Sequence, residues 1–266
     1  MTEDRLSSIL DQVRASIADP SYGQGIQGPA GHPRSLRDAV TSTAPALAVL
    51  VERKRVSPGE DSLELPVLPA REFAERARRG GAVGLSCLAT VPQFRGSPRE
   101  VAEIAGAALL PVLYKEFVLD LMQVDIAART GASAILLIAR LERERRISTP
   151  LSALAERAHA RGLEVLLELH APEDLKIAKE VPADMYGVNQ RDLATFRLEP
   201  AVQRATLHAA AAFRPLLALS GIRSVADARE ARSSGADGIL VGSAFARASD
   251  PEAFLRSLTR VGRSSE

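Results

Sequence analysis

Residues 130–138 read TGASAILLI, and this stretch shows the unit from which the chain is built. Its small and aliphatic run at 133–138 has the length of one buried strand, and the glycine before the run is typical of a helix end. The same pattern returns in GGAVGLSCL at 80–88, RGLEVLL at 161–167 and SGADGILV at 234–241. Near-continuous apolar strands that follow helix ends indicate a parallel sheet covered by helices.

Eight such units are predicted along the chain, spaced roughly 20–35 residues apart, as in an α/β barrel. The predicted strands are 46–51, 82–88, 109–113, 133–138, 163–167, 184–188, 215–219 and 237–241, and the predicted helices are 70–79, 98–107, 120–130, 149–161, 172–180, 199–211, 224–234 and 250–260. A doubly wound open sheet would need only about six strands. We therefore predict one α/β domain over residues 1–266, a (β/α)8 TIM barrel.

The barrel is preceded by a segment of a different kind. Leu6, Ile9, Leu10, Val13 and Ile17 recur at helical spacing, which predicts a helix over 5–18. Residues 19–34 are rich in Gly and Pro and predict an exposed loop. The GQGIQG within it has the G-x-G-x-x-G spacing, but no strand precedes it, so a dinucleotide site is not expected. Residues 1–45 are thus an N-terminal helix and loop extension.

Composition excludes several function classes. Lys plus Arg number 34 and Asp plus Glu number 33, which argues against a nucleic-acid partner bound by phosphate neutralisation. Trp is absent and aromatic residues make up 4% of the chain, too few for a base-stacking surface. The single cysteine, Cys87, excludes a disulfide framework and a multi-cysteine zinc site. No apolar run approaches about 18 residues, and a cytoplasmic protein without a membrane partner is expected.

Charged side chains follow several predicted strands at the end where barrel enzymes place their chemistry. The first strand leads to Glu52 and Lys54, the third to Lys115, and the fifth to Glu168 and His170. A lysine near carboxylates can act as a general acid, and a partly buried glutamate as a base. The alternative is that these charges only pair with one another. Since no third ligand accompanies Glu168 and His170, no metal site is expected.

Glycine and serine follow the last two predicted strands. Ser220-Gly221 and Gly242-Ser243 lie where this fold often binds phosphate through backbone N–H groups, and Ser57 follows the first strand. These residues predict a small phosphorylated ligand.

At this point the sequence resembles a known family, the indole-3-glycerol phosphate synthases of tryptophan biosynthesis. The resemblance covers nearly the whole chain and rests on seven blocks in the family's order. They are ERKRVSP at 52–58, QFRGSP at 93–98, PVLYKEFVLDLMQV at 111–124, LLELH at 166–170, GVNQRDLATF at 187–196, LSGI at 219–222 and ILVGSAF at 239–245.

The resemblance implies a reaction without cofactor or metal: 1-(2-carboxyphenylamino)-1-deoxyribulose 5-phosphate is cyclised, decarboxylated and dehydrated to indole-3-glycerol phosphate. It implies that Lys115 is the general acid of ring closure and that Glu168 is the acid/base group of dehydration. Lys54, with Glu52 beside it, meets the substrate carboxylate. Further implied contacts are substrate orientation by Asn189 and Arg191, a ring pocket with Phe94, Phe117 and Leu219, and a phosphate cradle of Ser57, Ser220, Gly221, Gly242 and Ser243.

The chain also departs from the family pattern. Leu219 stands where the family has a glutamate before Ser-Gly, Gln190 replaces the second asparagine after the sixth strand, and Gly59 replaces a serine. The loop GEDSLELPVLP at 59–69 differs as well.

We therefore predict a carbon–carbon lyase of this family, working as a monomer or homodimer. Three alternatives stay open: a paralogue that takes a modified anthranilate-derived substrate, another phosphate-handling barrel enzyme, and a catalytically weak or silent phosphate-binding barrel.

Overall fold

Eight parallel strands close into a barrel in the computed structural model, which describes residues 4–29, 31, 33–57, 63–90 and 94–262. Each strand pairs with the next one in the chain, and the last pairs with the first, Ala48 lying opposite Gly238. The strands, numbered β1 to β8, are Ala48–Arg53, Gly84–Leu88, Val112–Lys115, Ala134–Ile138, Glu164–Leu169, Met185–Val188, Leu216–Ala218 and Gly238–Val241. The predicted (β/α)8 TIM barrel is confirmed.

Helices alternate with these strands and cover the barrel. In the described ranges they are numbered α1 to α12: Arg5–Ala18, Leu36–Thr41, Ala70–Arg79, Pro98–Ala107, Leu121–Arg129, Ala139–Arg143, Leu151–Ala160, Leu175–Ala178, Pro200–Ala209, Val225–Ser233, Ser243–Arg247 and Pro251–Leu258. A 3₁₀ turn at Pro172–Asp174 precedes α8. None of these helices has the length and apolar character needed to cross a bilayer.

Local sequence signals set the helix ends. The Ser97 side chain accepts a hydrogen bond from the Glu100 N–H at the start of α4, and Asp120 with Gln123 forms a capping box at α5. After α5, Gly131 adopts a φ of 77°, a left-handed conformation that glycine takes without strain. The glycines that predicted the ends of helices before strands therefore lie in turns between a helix and the next strand.

Alternation along each strand divides the core into two layers. Leu50, Leu113 and Leu166 point into the barrel, whereas neighbours such as Val51 and Tyr114 pack against the helices. This alternation continues to the strand ends, so Glu52, Lys115 and Glu168 point into the barrel like the leucines two residues before them.

The N-terminal extension contacts both ends of the barrel. At the carboxyl end of the strands, the Arg5 guanidinium of α1 lies 5.8 Å from the Phe196 ring centre. At the other end, the N-cap Ser35 and the Leu36 N–H at the start of α2 donate hydrogen bonds to the Glu164 carboxylate at the start of β5. The extension is thus part of the barrel's structure.

The predicted exposed loop at 19–34 is confirmed for most of the residues that the structure describes, which are exposed and lie outside helices and strands, but part of it packs on the barrel. Gly23 and Ile26 are buried, and the Gly28 N–H donates to the Arg129 carbonyl oxygen over 2.7 Å. The loop lies against the end of α5, a contact that Gly and Pro content alone does not reveal.

Several predicted strand and helix boundaries are wrong. The third strand begins at Val112 rather than 109, because Pro111 has no N–H for a ladder and Leu109 is 64% exposed. The predicted helix at 172–180 is a 3₁₀ turn followed by the four residues of α8. The short helices α2, α6 and α11 were missed, because five or six residues show too few turns for a periodic signal.

Candidate active site

A cavity of about 210 Å³ lies at the carboxyl ends of the barrel strands. Every predicted site residue except Ser57 lines it; the side chain of Ser57 lies outside the described part of the structure. The predicted residues in the wall are Glu52, Lys54, Phe94, Lys115, Phe117, Glu168, Asn189, Arg191, Leu219, Ser220, Gly221, Gly242 and Ser243.

Glu52 links the two lysines at one side of the cavity. Its carboxylate lies 3.0 Å from the Lys54 Nζ and 3.7 Å from the Lys115 Nζ. Burial pushes the pKa of Glu52 upward, but the positive charges of Lys54 and Lys115 outweigh it and hold this pKa below its ordinary value. An ionised Glu52 therefore keeps two ammonium groups together at the mouth of the barrel.

Gly242 allows this cluster to approach the end of β8. A Cβ atom at this position would lie 3.0 Å from the Glu52 Oε1 and 3.1 Å from the Lys54 Nζ, closer than side chains normally pack. A larger residue would require Glu52 and Lys54 to shift by a few tenths of an ångström, so this glycine lets the cluster pack against the turn.

Glu168 is the deepest carboxylate of the site. It is 1% exposed at the end of β5, and its Oε2 has no hydrogen-bond partner among the described residues. The described ranges hold no group of three or more His, Cys, Asp or Glu side chains arranged to bind a metal ion. Glu168 thus lines the cavity, and its buried Oε2 is not committed to another described side chain.

The polar groups after β6 are held by one another. The Asn189 Oδ1 accepts hydrogen bonds from the Arg191 N–H at 3.0 Å and from the Ser220 hydroxyl at 2.6 Å. The Arg191 guanidinium donates to the Phe196 carbonyl oxygen over 2.6 Å, and burial lowers its pKa. These bonds fix the amide and the guanidinium at the cavity wall before any ligand arrives.

Much of the remaining wall is apolar. Leu219 is 3% exposed and packs on Gly187, where a Cβ atom would lie 2.4 Å from the Leu219 Cδ1. The rings of Phe94 and Phe196 meet edge to face with centres 6.4 Å apart. Sequence reasoning missed Phe196, whose position depends on a left-handed φ of 57°. The other apolar lining residues are Leu88, Phe117, Leu136, Ile138, Leu193, Leu198, Ile222 and Leu240.

Two arginines missed by the sequence analysis line the end of the cavity that carries the glycine-serine pairs. Arg223 follows Ser220-Gly221 by two residues, and Arg247 ends α11 after Gly242-Ser243. Both are exposed. Basic residues at a short spacing after each pair were the available signal, and they add positive charge where an anion is predicted to bind.

Glu116 is a further missed residue. It is buried, its Oε1 accepts hydrogen bonds from the Thr90 hydroxyl at 2.5 Å and from the Phe117 N–H at 2.8 Å, and burial raises its pKa to about 7. Its carboxyl group fixes the backbone immediately after Lys115.

Glu116→Gln is expected to remove a pH-dependent loss of stability. A pKa of about 7 in the folded state, above the ordinary 4.5, means that ionisation opposes folding as the pH rises through this window. Glutamine can accept the same two bonds and does not titrate. The variant should match the native protein near pH 4, below the unfolded pKa, and exceed it by up to about 3 kcal/mol in unfolding free energy at pH 8, as urea titrations at both pH values would measure.

A suitable control is Glu103→Gln, which changes an exposed carboxylate on the neighbouring helix α4. The difference in unfolding free energy between Glu103→Gln and the native protein should be the same at both pH values. If the unfolding free energies of the native protein and Glu116→Gln changed equally with pH, the assigned ionisation of Glu116 would be contradicted.

The fold and the charged mouth of the barrel define the class of (β/α)8 barrel enzymes. Solved structures share this architecture: thiamine phosphate pyrophosphorylase from Pyrococcus furiosus has a TM-score of 0.58 and 19% identity, covering 86% of this chain and 98% of its own. A 3-hexulose-6-phosphate synthase has a TM-score of 0.58 and 16% identity, covering 81% of this chain and 99% of its own. At these identities the likeness concerns the fold alone.

Sequence comparison gives the family. The family model for indole-3-glycerol phosphate synthase matches residues 6–258. Indole-3-glycerol phosphate synthase from Methanopyrus kandleri is 37% identical over 98% of this chain and 100% of its own length. Indole-3-glycerol phosphate synthase 2 from Streptomyces coelicolor is 37% identical over 80% of this chain and 81% of its own length. The chain belongs to the indole-3-glycerol phosphate synthase family, a family of carboxy-lyases, which confirms the predicted resemblance.

Proposed function

We propose that this chain converts 1-(2-carboxyphenylamino)-1-deoxyribulose 5-phosphate into indole-3-glycerol phosphate, carbon dioxide and water. The observation that carries the proposal is that Lys54, Lys115 and Glu168, from three strands, meet in one cavity of a chain that belongs to this family. The enzyme is proposed to act in the cytoplasm, as a monomer or homodimer, on this small phosphorylated substrate without a cofactor.

Ring closure is the first step. The aromatic carbon that bears the carboxylate attacks the ketone carbon, and the Lys115 ammonium gives a proton to the ketone oxygen as the carbon–carbon bond forms. Glu52, 3.7 Å from the Lys115 Nζ, holds this ammonium at the cavity. A positioned general acid of this kind contributes about 10²–10⁴-fold to the rate.

Loss of carbon dioxide follows and restores the aromatic ring. The Lys54 ammonium is proposed to bind the substrate carboxylate before the carbon–carbon bond breaks. Its position at the cavity wall, 3.0 Å from Glu52, supports this role. The apolar wall beside Leu219 favours release, because a neutral product replaces a charged group there.

Dehydration completes the reaction. The hydroxyl made from the ketone leaves as water, and a proton leaves the neighbouring carbon as the indole double bond forms. Glu168 handles these protons through its uncommitted Oε2. Its burial keeps bulk water away from the transfer, as suits an acid/base group in a barrel mouth.

The phosphate group is proposed to bind at Ser220, Gly221, Gly242 and Ser243. At Gly221, with a φ of 81°, a Cβ atom would collide with the Gln190 Oε1, so the bare backbone is required. Arg223 and Arg247 add positive charge on the solvent side. Backbone N–H groups and guanidinium groups together suit a dianion.

Leu219 supports a second candidate, a paralogue whose substrate carries an apolar substituent on the ring. Its side chain is buried in the apolar wall against Gly187. The family's glutamate is absent at this place, so the wall has hydrocarbon where relatives of that pattern have a charge.

Leu219→Glu is expected to lower kcat/KM on the unsubstituted substrate about tenfold, because a carboxylate in this wall loses hydration without a hydrogen-bond partner. Steady-state kinetics with purified protein would measure it. Leu219→Met, which keeps volume and polarity, is the matched control and should retain native activity. A rise in activity with Leu219→Glu would instead show that a carboxylate at this position takes part in the reaction. That result would contradict the assignment of Leu219 to an apolar wall of the pocket.

The experiment that tests the proposed function is incubation of the purified protein with the carboxyphenylamino deoxyribulose phosphate while indole fluorescence is followed. We expect steady product formation that depends on enzyme concentration. No product above background, with a phosphate-bearing substrate analogue still bound, would favour another phosphate-handling barrel enzyme or a silent binding barrel.

A further inference from the structure

Unsatisfied polar atoms are concentrated in one pair of side chains. Among the described residues, the buried side-chain nitrogen and oxygen atoms without a hydrogen-bond partner are the Ser86 Oγ, the Glu168 Oε2 and both ring nitrogens of His170. Buried polar groups are nearly always paired, since an unpaired one is costly. Three of these four atoms belong to the neighbouring side chains of Glu168 and His170, which indicates that these side chains form their hydrogen bonds when a ligand is bound.

Glu168 and His170 lie on the same side of the end of β5. The His170 Nε2 is 3.3 Å from the Glu168 Oε1, although their orientation does not make a hydrogen bond. Glu168 is 1% exposed and His170 is 7% exposed, so bulk water does not separate them. The distance is within hydrogen-bond range, so only the relative orientation of the two side chains must change.

The backbone of His170 is held in place while its ring remains uncommitted. The His170 N–H donates to the Asp174 Oδ2 over 2.7 Å, and the Arg143 Nε donates to the Asp174 Oδ1 over 2.6 Å. Asp174 is itself fully buried. The backbone of His170 is therefore fixed so that its imidazole lies beside Glu168, as a positioning residue requires.

The charges around the ring come from four elements. They are Glu168 on β5, Asp174 in the 3₁₀ turn, Arg140 on α6 and Asp192 after β6. Burial lowers the pKa of His170, which Glu168 and Asp174 offset only in part. The ring is thus neutral near pH 7 and offers one N–H donor and one acceptor nitrogen.

We infer that His170 is a positioning residue that donates its Nε2–H to the Glu168 Oε1 when substrate is bound. The bond fixes the carboxylate and leaves the Oε2, which has no partner among the described residues, for proton transfer. His170 keeps its own proton throughout, and the transferred proton moves only between substrate and the Glu168 Oε2. This inference rests on the proposed function, in which Glu168 is the acid/base group.

The test compares His170→Leu, which has no donor, with His170→Gln, whose amide nitrogen can replace the Nε2 donor. For His170→Leu we expect kcat to fall at least about tenfold with KM within about twofold of native. The acid limb of the kcat–pH profile should move up by about one pH unit, because a carboxylate without its donor is more easily protonated. His170→Gln should restore the native limb and most of the rate.

His208→Leu is the control, since His208 is exposed on α9. It should behave as the native protein. An unchanged pH profile in His170→Leu, or an equal loss in both His170 variants, would overturn the inference and leave His170 a packing residue.

A measurement on the native protein keeps the inference testable if His170→Leu does not fold or if the native enzyme is inactive. In ¹⁵N-histidine-labelled protein, long-range ¹H–¹⁵N spectra report the tautomer of each of the 4 histidines. We expect His170 to be neutral and Nε2-protonated near pH 7. A protonated ring or an Nδ1–H tautomer would overturn the inference, whereas inactivity of the native enzyme with the expected tautomer would count against the proposed function alone.

Discussion

Lys115→Ala is expected to abolish turnover, with a fall in kcat of about 10³-fold, while a phosphate-bearing substrate analogue still binds with a nearly native Kd. In the proposed mechanism this side chain supplies the proton that the ketone oxygen needs in ring closure, whereas Lys54, bound to Glu52 at 3.0 Å, is assigned to the substrate carboxylate. Phosphate binding should be spared because the groups proposed for it lie after β7 and β8. Stopped-assay kinetics and calorimetric binding of the analogue would measure both quantities.

Two further variants make this prediction specific. Lys115→Arg keeps the positive charge beside Glu52 but cannot give up a proton near neutral pH, so it should also be inactive. Lys179→Ala removes an exposed lysine after α8 and should be fully active. If Lys115→Ala retained more than about a tenth of native kcat, the general-acid role would be refuted.

Glu168→Gln is expected to lower kcat about 10²–10³-fold and to separate decarboxylation from dehydration. Glutamine keeps the shape of the carboxyl group and cannot carry the transferred proton. In a single turnover with substrate labelled at the carboxylate, carbon dioxide should appear before indole, because only the last step is slowed. Rapid-quench analysis of both products would show the lag.

Glu173→Gln, an exposed carboxylate in the neighbouring 3₁₀ turn, is the control and should show no lag. If carbon dioxide and indole were slowed together in Glu168→Gln, Glu168 would act before decarboxylation, and the assignment of the dehydration step to this residue would fail.

The sequence predicted the barrel and most of the cavity wall for one physical reason. In a closed parallel sheet all strands end at the same rim, so finding the strands also brings Glu52, Lys115 and Glu168 together. The two-residue alternation then gives the direction of each side chain. Lys115 shares the direction of Leu113, a residue that packs inside the barrel.

The same reasoning fails where the chain leaves the strand. Alternation predicts that Glu116 points away from the cavity, yet it lines the cavity because β3 ends at Lys115 and the chain turns there. Arg223 and Arg247 were missed because their positions depend on the loop after β7 and on α11, which have no periodic signal. Loop paths depend on tertiary contacts that a strand pattern does not contain.

The low aromatic content fits the cavity that the structure contains. With no Trp in the chain, a ring pocket must be built from aliphatic side chains and a few phenylalanines. Phe94, Phe117 and Leu219 line the cavity as predicted, and Phe196 completes the aromatic corner.

The most direct test of the central claim is a product balance with substrate that carries ¹³C in its carboxylate. The native protein should release labelled carbon dioxide and indole-3-glycerol phosphate in a one-to-one ratio over many turnovers, and Lys115→Ala should release neither. Substrate consumed without labelled carbon dioxide, or bound without being consumed, would contradict the account.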